Sequence, residues 1–148
     1  MPEKKRKKTT SPKRFAAENN LLQTIKKTVE NLSYMSETDA GFELFVGTAA
    51  AGGVTKEEIL RQTGKSADAP IEERNFDEMF ERLMTIQDWF GDDETKQAEN
   101  FKKLKALFEN NLKDLKVFRI GQIQIDIYFV GLDENNNLTG VKTFAVET

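Results

Sequence analysis

Oxygen-bearing groups at the end of the chain are the first candidates for chemistry. A strand-like pattern at residues 139–146 runs almost to the terminal carboxylate, and only Glu147 and Thr148 follow it. Their carboxylate and hydroxyl groups, together with the terminal carboxylate, are hard oxygen ligands of the kind that Mg²⁺ and Ca²⁺ bind. Oxygens held at the end of a strand are suited to plug a cationic or metal-bearing site of another molecule. The alternative interpretation is an ordinary last strand with a two-residue fringe.

The composition lacks two of the residue types that most often act in enzyme active sites. The sequence has no His and no Cys, which removes the commonest general base, the commonest metal ligand and all thiol chemistry. Residues 51–53 lack the following Lys of a phosphate-binding loop. The acidic runs 91–94 and 133–137 do not have the oxygen spacing of a calcium loop and favour a helix start and a turn. We therefore predict a protein that is not an enzyme and holds no cofactor.

Two further residues stand out in predicted irregular segments. Glu37 lies near an exposed turn of the predicted loop 33–41, and Trp89, the single Trp of the chain, lies in the segment 87–89. Trp often anchors protein interfaces because it offers a large amphipathic surface, but it is as often a core residue. With Glu147 and Thr148, these residues are the candidates for contact with a partner.

The formal net charge of -3 hides a strong asymmetry along the chain. Residues 1–14 contain a single acid and seven of the 22 basic side chains. These basic residues are Lys4, Lys5, Arg6, Lys7, Lys8, Lys13 and Arg14. Because the segment has few apolar residues, we predict a disordered basic arm at 1–14 and one globular domain at 15–148. The arm fits a nuclear-localisation signal, a contact to nucleic acid or a solvated tail.

The globular part of the chain is acidic. Outside the arm, 15 basic and 24 acidic side chains give a net charge of -9. Such a surface repels nucleic acid and attracts basic partners at long range, with a strength that falls as salt is added. This balance favours a protein that competes for a nucleic-acid-binding surface over an enzyme that acts on nucleic acid.

No segment is predicted to enter a membrane. No apolar run approaches the roughly 18 residues of a membrane span, and the N-terminal residues lack the apolar core of a signal peptide. We expect a soluble cytoplasmic protein, or a nuclear one if the source cell has a nucleus and the arm is a targeting signal.

Apolar residues at helical spacing predict four helices. They are expected at about 15–32, between the N-cap Thr55 and Gly64, at about 77–84, and at about 93–115. Glu58 lies three residues after Thr55, which predicts a capping box, and Asn75 is expected to cap the third helix. Residues 65–73 are predicted to be irregular.

Alternating or β-branched runs predict the strands of a sheet. These runs are 42–46, 117–120, 123–129 and 138–146, with a small-residue loop at 47–53, a tight connection at Gly121 and a turn at 133–137. Helices come first along the chain and an antiparallel meander comes last. We predict an α+β protein with helices packed on a mainly antiparallel sheet.

Six short motifs, in this order and at compatible spacing, resemble the nuclease A inhibitor family. They are Tyr34-Met-Ser-Glu37, Phe42-Glu-Leu-Phe45, Gln62-Thr-Gly64, Asp68-Ala-Pro70, Gln87-Asp-Trp89, and Gly140 with the closing Val146-Glu-Thr148. The resemblance spans about 20–148 and leaves out the basic arm. Residues 47–53 and 133–137 depart from the family pattern.

The resemblance implies a flanked-sheet fold and an inhibitory function. The fold would be an α-β-α sandwich related to the pathogenesis-related-1 architecture, and the partner a magnesium-dependent, sugar-non-specific DNA/RNA endonuclease. By this resemblance, Thr148 supplies an oxygen to the magnesium of the nuclease in place of a water. Glu37 enters the catalytic cleft, and Trp89 packs at the rim or in a pocket of the enzyme.

Two other classes of function stay open at this point. A nucleic-acid-associated adaptor would use the basic arm as a tether and the acidic domain to bind a protein. An enzyme that works with Asp or Glu and a metal is the least favoured, since no convincing carboxylate pair is evident.

Overall fold

The computed structural model describes the backbone of residues 12–148 and the side chains from residue 20 onward. This part of the chain forms four helices and seven strands. The helices are α1 (Pro12–Val29), α2 (Lys56–Gln62), α3 (Phe76–Met84) and α4 (Asp92–Asn111). The strands are β1 (Ser33–Met35), β2 (Asp39–Gly41), β3 (Glu43–Ala49), β4 (Ile71–Arg74), β5 (Lys113–Ile120), β6 (Gln124–Leu132) and β7 (Asn137–Val146).

Five strands form one antiparallel sheet in the order β3-β7-β6-β5-β4. Strands β5, β6 and β7 are consecutive in the chain and adjacent in the sheet, which confirms the predicted meander. Strands β1 and β2 pair separately as a short antiparallel hairpin. None of the described helices is long and apolar enough to cross a membrane.

The sheet is covered on both faces. Successive side chains of a strand point to opposite faces, and those of β6 belong to two different buried clusters. Ile127 and Phe129 pack with residues of α1, α3 and α4, while Tyr128 and Val130 pack with residues of α2. The arrangement is therefore an α-β-α sandwich, and the predicted α+β class is confirmed. Its likeness to the pathogenesis-related-1 architecture stays a prediction.

The two short helices lie where their capping residues predict. Thr55 accepts a hydrogen bond from the Glu58 N–H at 3.1 Å, and Asn75 accepts one from the Glu78 N–H at 2.9 Å. Gly64 follows α2 with a φ of 72°, a left-handed conformation that favours glycine. The reciprocal half of the capping box differs from the prediction, because the Glu58 carboxylate accepts from Gln62 and Arg61 of its own helix.

The long helices begin and end earlier than predicted. Helix α1 starts at Pro12, so the last three residues of the predicted arm form its first turn. The rest of the arm, with Lys4, Lys5, Arg6, Lys7 and Lys8, lies outside the described residues, and its prediction stays untested.

Helix α4 ends at Asn111, four residues before the predicted end. Asp114 has a φ of 55°, and its carboxylate accepts a hydrogen bond from the Val54 N–H at 2.9 Å. Leu112 and Leu115 continue the apolar spacing of the helix, but the chain has already turned into β5. At the other end, the Glu94 carboxylate accepts a hydrogen bond from the Gly91 N–H at 2.9 Å, so the acidic run starts the helix as predicted.

Three predicted irregular segments contain strands. The predicted loop 33–41 is the β1–β2 hairpin, and the irregular stretch 65–73 includes most of edge strand β4. Strand β3 extends through the predicted loop as far as Ala49, since the side chain of Gln62 binds the backbone of Thr48. The Thr48 N–H donates to Gln62 Oε1 at 2.7 Å, and Gln62 Nε2 donates to the Thr48 carbonyl at 3.1 Å.

Candidate protein-binding site

Glu37 and Thr148, which are 111 residues apart in the chain, form a hydrogen-bonded pair on the surface. The Thr148 N–H donates to Glu37 Oε2 at 2.6 Å. The Thr148 hydroxyl lies 3.0 Å from Glu37 Oε1 and 3.1 Å from Oε2, so it also donates to this carboxylate. Both residues are exposed. The pair therefore presents a carboxylate and a hydroxyl oxygen at one point.

The tip of the β1–β2 hairpin and the end of β7 hold this pair in place. The last hairpin pair joins Met35 to Asp39, which leaves Glu37 in the middle of a three-residue tip. The Val146 N–H donates to Ser36 Oγ at 3.0 Å, and the Glu37 N–H donates to the Val146 carbonyl at 3.3 Å. These two hydrogen bonds join the hairpin tip to the end of β7, the two segments that carry Glu37 and Thr148.

Glu147 points to a different part of the molecule. Its carboxylate accepts a hydrogen bond from Arg119 Nη2 at 2.7 Å, and its N–H donates to the Ile123 carbonyl at 2.9 Å. The Arg119 side chain is only 10% exposed and also lies 3.6 Å from a Glu72 oxygen. Burial lowers the pKa of Arg119, but the hydrogen bond and charge of Glu147 outweigh it and leave the pKa raised. Glu147 thus ties the segment between Val146 and Thr148 to Arg119 and Ile123.

Trp89 lies on the wall of a groove next to the hairpin. The groove has a volume of about 530 Å³ and is lined by residues of the β1–β2 hairpin, α3, the connection after α3 and the first half of α4. The Trp89 side chain is 68% exposed, and its ring meets that of Phe90 nearly edge-on at 4.6 Å. Met35 also lines the groove, two residues before Glu37. Trp89 is therefore a surface residue near the hairpin that carries Glu37, not a core residue.

The oxygen pair is chemically suited to complete the ligand shell of a hard cation. Carboxylate and hydroxyl oxygens are ligands that Mg²⁺ accepts, and the ion usually retains several water ligands that such groups can replace. Within the described part of the chain, no three His, Cys, Asp or Glu residues come together as a metal site. Glu37 and Thr148 fit as additional ligands to an ion that other groups hold.

Ser36, Arg119 and Met35 were not singled out from the sequence as site residues. Ser36 and Met35 belong to a motif in which only Glu37 carried an assigned role. Arg119 is the one charged residue in the apolar run 117–120 that the sequence predicts as a strand, and this contrast was the available signal. Its role depends on Glu147, which lies 28 residues away in the chain.

This surface places oxygens, an exposed indole and a groove in neighbouring positions, an arrangement suited to the class of proteins that bind a partner. The comparison with known families is consistent with that class. A family model described as "NuiA: Nuclease A inhibitor-like protein" matches residues 19–148. The chain belongs to this nuclease A inhibitor-like family, which makes a nuclease the expected class of partner. No curated protein matches the sequence.

Proposed function

We propose that this protein is a stoichiometric inhibitor of a magnesium-dependent, sugar-non-specific DNA/RNA endonuclease and has no catalysis of its own. Family membership supports the inhibitory class. The observation that carries the finer proposal is the exposed pairing of Glu37 with Thr148, because it gathers two oxygen ligands at one point of the surface.

The chemistry of the pair suits Thr148 as the metal-binding group. A hydroxyl has one donor and two acceptor lone pairs. Since the Thr148 hydroxyl donates its proton to Glu37, its lone pairs are free to face the magnesium of the nuclease. Thr148 then replaces a metal-bound water, and no proton has to leave the hydroxyl.

Glu37 acts beside the metal in this proposal. Its carboxylate carries the negative charge that the scissile phosphate would otherwise bring, and it meets the magnesium or the basic residues of the catalytic cleft. The N–H and hydroxyl of Thr148 orient the carboxylate before binding. Such preorganisation reduces the entropy lost on association. Trp89 contacts the rim of the enzyme, where a large exposed indole excludes water from the polar contacts.

Titration of the full chain into such a nuclease, with plasmid cleavage as the readout, tests the proposal. We expect cleavage to stop at a one-to-one molar ratio. Removal of Glu147 and Thr148 together should relieve inhibition while the fold remains, because both residues lie beyond the last strand and Arg119 keeps its contact with Glu72. Undiminished inhibition by the truncated variant would contradict the metal-binding role, and absence of inhibition by the intact chain would contradict the proposed function.

Single substitutions separate the two members of the pair. Glu37→Gln should weaken binding by about 2 kcal/mol or more, since a cationic group of the nuclease loses its charged partner. The matched control is Glu134→Gln, an exposed acid beyond the Leu132–Leu138 pair, at the opposite end of β7 from Thr148. Thr148→Ala should weaken inhibition, and Thr148→Ser should restore it. Equal dissociation constants for the Glu37 and Glu134 variants would leave Glu37 without a role at the active site.

A further inference from the structure

The groove beside Trp89 combines apolar walls with unpaired acids. Its apolar lining includes Tyr34, Met35, Leu83, Trp89, Phe90 and Phe101. Met35 and Trp89 are among the large apolar residues that are most exposed, at 66% and 68%. Apolar side chains that line a groove and remain this exposed favour contact with a partner.

The charged groups of the groove favour a cation. Asp39, Asp93 and Glu94 line it together with one basic residue, Arg82. The Glu94 carboxylate is committed to the N-terminus of α4, where it accepts from Gly91. Within the described part of the chain, the carboxylates of Asp39 and Asp93 make no hydrogen bond or ion pair. Two negatively charged hydrogen-bond acceptors are therefore available in a groove with aromatic walls.

The groove is continuous with the Glu37–Thr148 pair. Met35 and Asp39 are the last paired residues of the hairpin, and the tip that carries Glu37 lies between them. A group of the partner that enters the groove would therefore lie next to the group that meets Glu37.

We propose that this groove receives an arginine side chain from the surface of the nuclease, an inference that rests on the proposed inhibitory function. A planar guanidinium can stack on the Trp89 indole while its N–H groups pair with Asp39 and Asp93. The apolar stem of arginine covers Met35 and Leu83. An enzyme that binds the phosphates of nucleic acid carries such cationic side chains near its active site.

The single Trp of the chain provides a probe of the groove that needs no nuclease. Full-length protein labelled with ¹⁵N gives one indole N–H resonance, which belongs to Trp89. Titration with N-acetyl-arginine amide should shift this resonance saturably, with a dissociation constant in about the millimolar range, as expected for one exposed cation–π and ion-pair contact. N-acetyl-citrulline amide has a similar shape without the charge and should leave the resonance nearly unchanged.

Neighbouring acids of α4 provide a matched pair of variants. Asp92 and Asp93 are both exposed in the first turn, so each substitution removes the same helix-dipole contribution. Only Asp93 lines the groove. Asp93→Asn should weaken nuclease binding about tenfold, as for a charge-assisted contact in an interface. Asp92→Asn should weaken it less than about twofold, since it affects only long-range attraction.

The outcomes distinguish this inference from the proposed function. Equal effects of Asp93→Asn and Asp92→Asn, in a protein that still inhibits, would overturn the groove inference and leave the function standing. An equal response of the indole resonance to the arginine and citrulline amides would also overturn it. If the intact chain inhibits no nuclease, the proposed function fails, and the assignment of a nuclease arginine fails with it.

Discussion

Arg119 links the interior of the sheet to the residues that present the candidate site. Its side chain is nearly buried and forms ion pairs with two carboxylates, those of Glu147 and Glu72. Glu72 also pairs with Arg74, whose Nε lies 3.1 Å from it. A guanidinium suits this position because its rigid fork can serve two carboxylates at once. Arg119 therefore binds the residue that directly precedes Thr148.

Replacement of Arg119 tests this positioning role. Arg119→Gln leaves the Glu147 carboxylate without its cation and should lower the free energy of unfolding by about 2 kcal/mol. Inhibition should weaken as well, because the chain beyond Val146 loses its anchor. Denaturant unfolding and a dissociation constant for the nuclease measure the two effects.

The control for Arg119 is Arg74→Gln, which removes a cation that contacts Glu72 but not Glu147. It should affect stability less than Arg119→Gln and leave inhibition intact. Equal loss of inhibition in the two variants would show that the anchor of Glu147 does not position Thr148.

Strand β7 is the element that assembles the site. It lies between β3 and β6 in the sheet, and its end at Val146 meets the tip of the β1–β2 hairpin. Gly140 fixes its position, because a Cβ there would lie 1.9 Å from the carbonyl oxygen of Phe129. A larger residue would force β7 away from β6. Since register sets which residues reach the strand end, this close approach also sets the place of Thr148.

Helix α2 contacts β3, the strand that pairs with β7 on the side away from β6. Gln62 binds the backbone of Thr48, and its amide also donates to the Glu58 carboxylate at 2.7 Å. The hydrogen bond from Gln62, followed by that from Arg61, lowers the pKa of Glu58 from its ordinary value of 4.5. Glu58 therefore stabilises the fold in its ionised form.

The pH dependence of stability tests this contribution. A lowered pKa in the folded state means that the stabilisation is present above pH 4.5 and is lost as pH falls through the folded pKa. Glu58→Gln should lower the free energy of unfolding by roughly 1 kcal/mol at neutral pH, as for a partly exposed charge-assisted hydrogen bond. Urea titrations from neutral pH to below pH 4.5 should show the two proteins converge in acid. A difference that stays constant over this range would rule out an ionised Glu58 as its source.

The molecule as a whole separates its charges, with a net of -9 outside residues 1–14 and a strongly basic segment within them. An acidic body is attracted to the basic surface on which a nuclease binds nucleic acid, and the attraction acts before contact. The carboxylates of Asp39, Asp93 and Glu37 contribute to this attraction.

Salt dependence of the association rate tests this electrostatic steering. Between roughly 50 mM and 500 mM salt, the association rate constant with the nuclease should fall about tenfold or more, because the Debye length shortens severalfold. The dissociation rate constant should change much less, since it reports contacts already formed. Stopped-flow measurements at several salt concentrations give both constants, and an association rate that does not respond to salt would contradict steering by the acidic body.

The sequence by itself determined the fold class, the two short helices and the final meander. These features depend on local signals: Thr55 and Asn75 accept hydrogen bonds within their own first turns, and the alternation in β6 reports two buried faces. The local signal was misleading where tertiary contacts compete with it. Gln62 binds the backbone where β3 continues into a segment of small residues. Helix α4 ends at Asn111 although its apolar spacing continues, and Asp114 just beyond it contacts Val54.

Only the tertiary structure decided how the candidate residues are grouped. The sequence named Glu37, Trp89, Glu147 and Thr148 as separate features, because a linear pattern contains no distance between residues far apart in the chain. Strand pairing brings Thr148 to Glu37 and turns Glu147 back to Arg119. Glu147 and Thr148 are neighbours in the chain, yet Glu147 binds strand β5 and Thr148 binds the hairpin tip. Their roles differ because each residue beyond the end of β7 meets a different element of the fold.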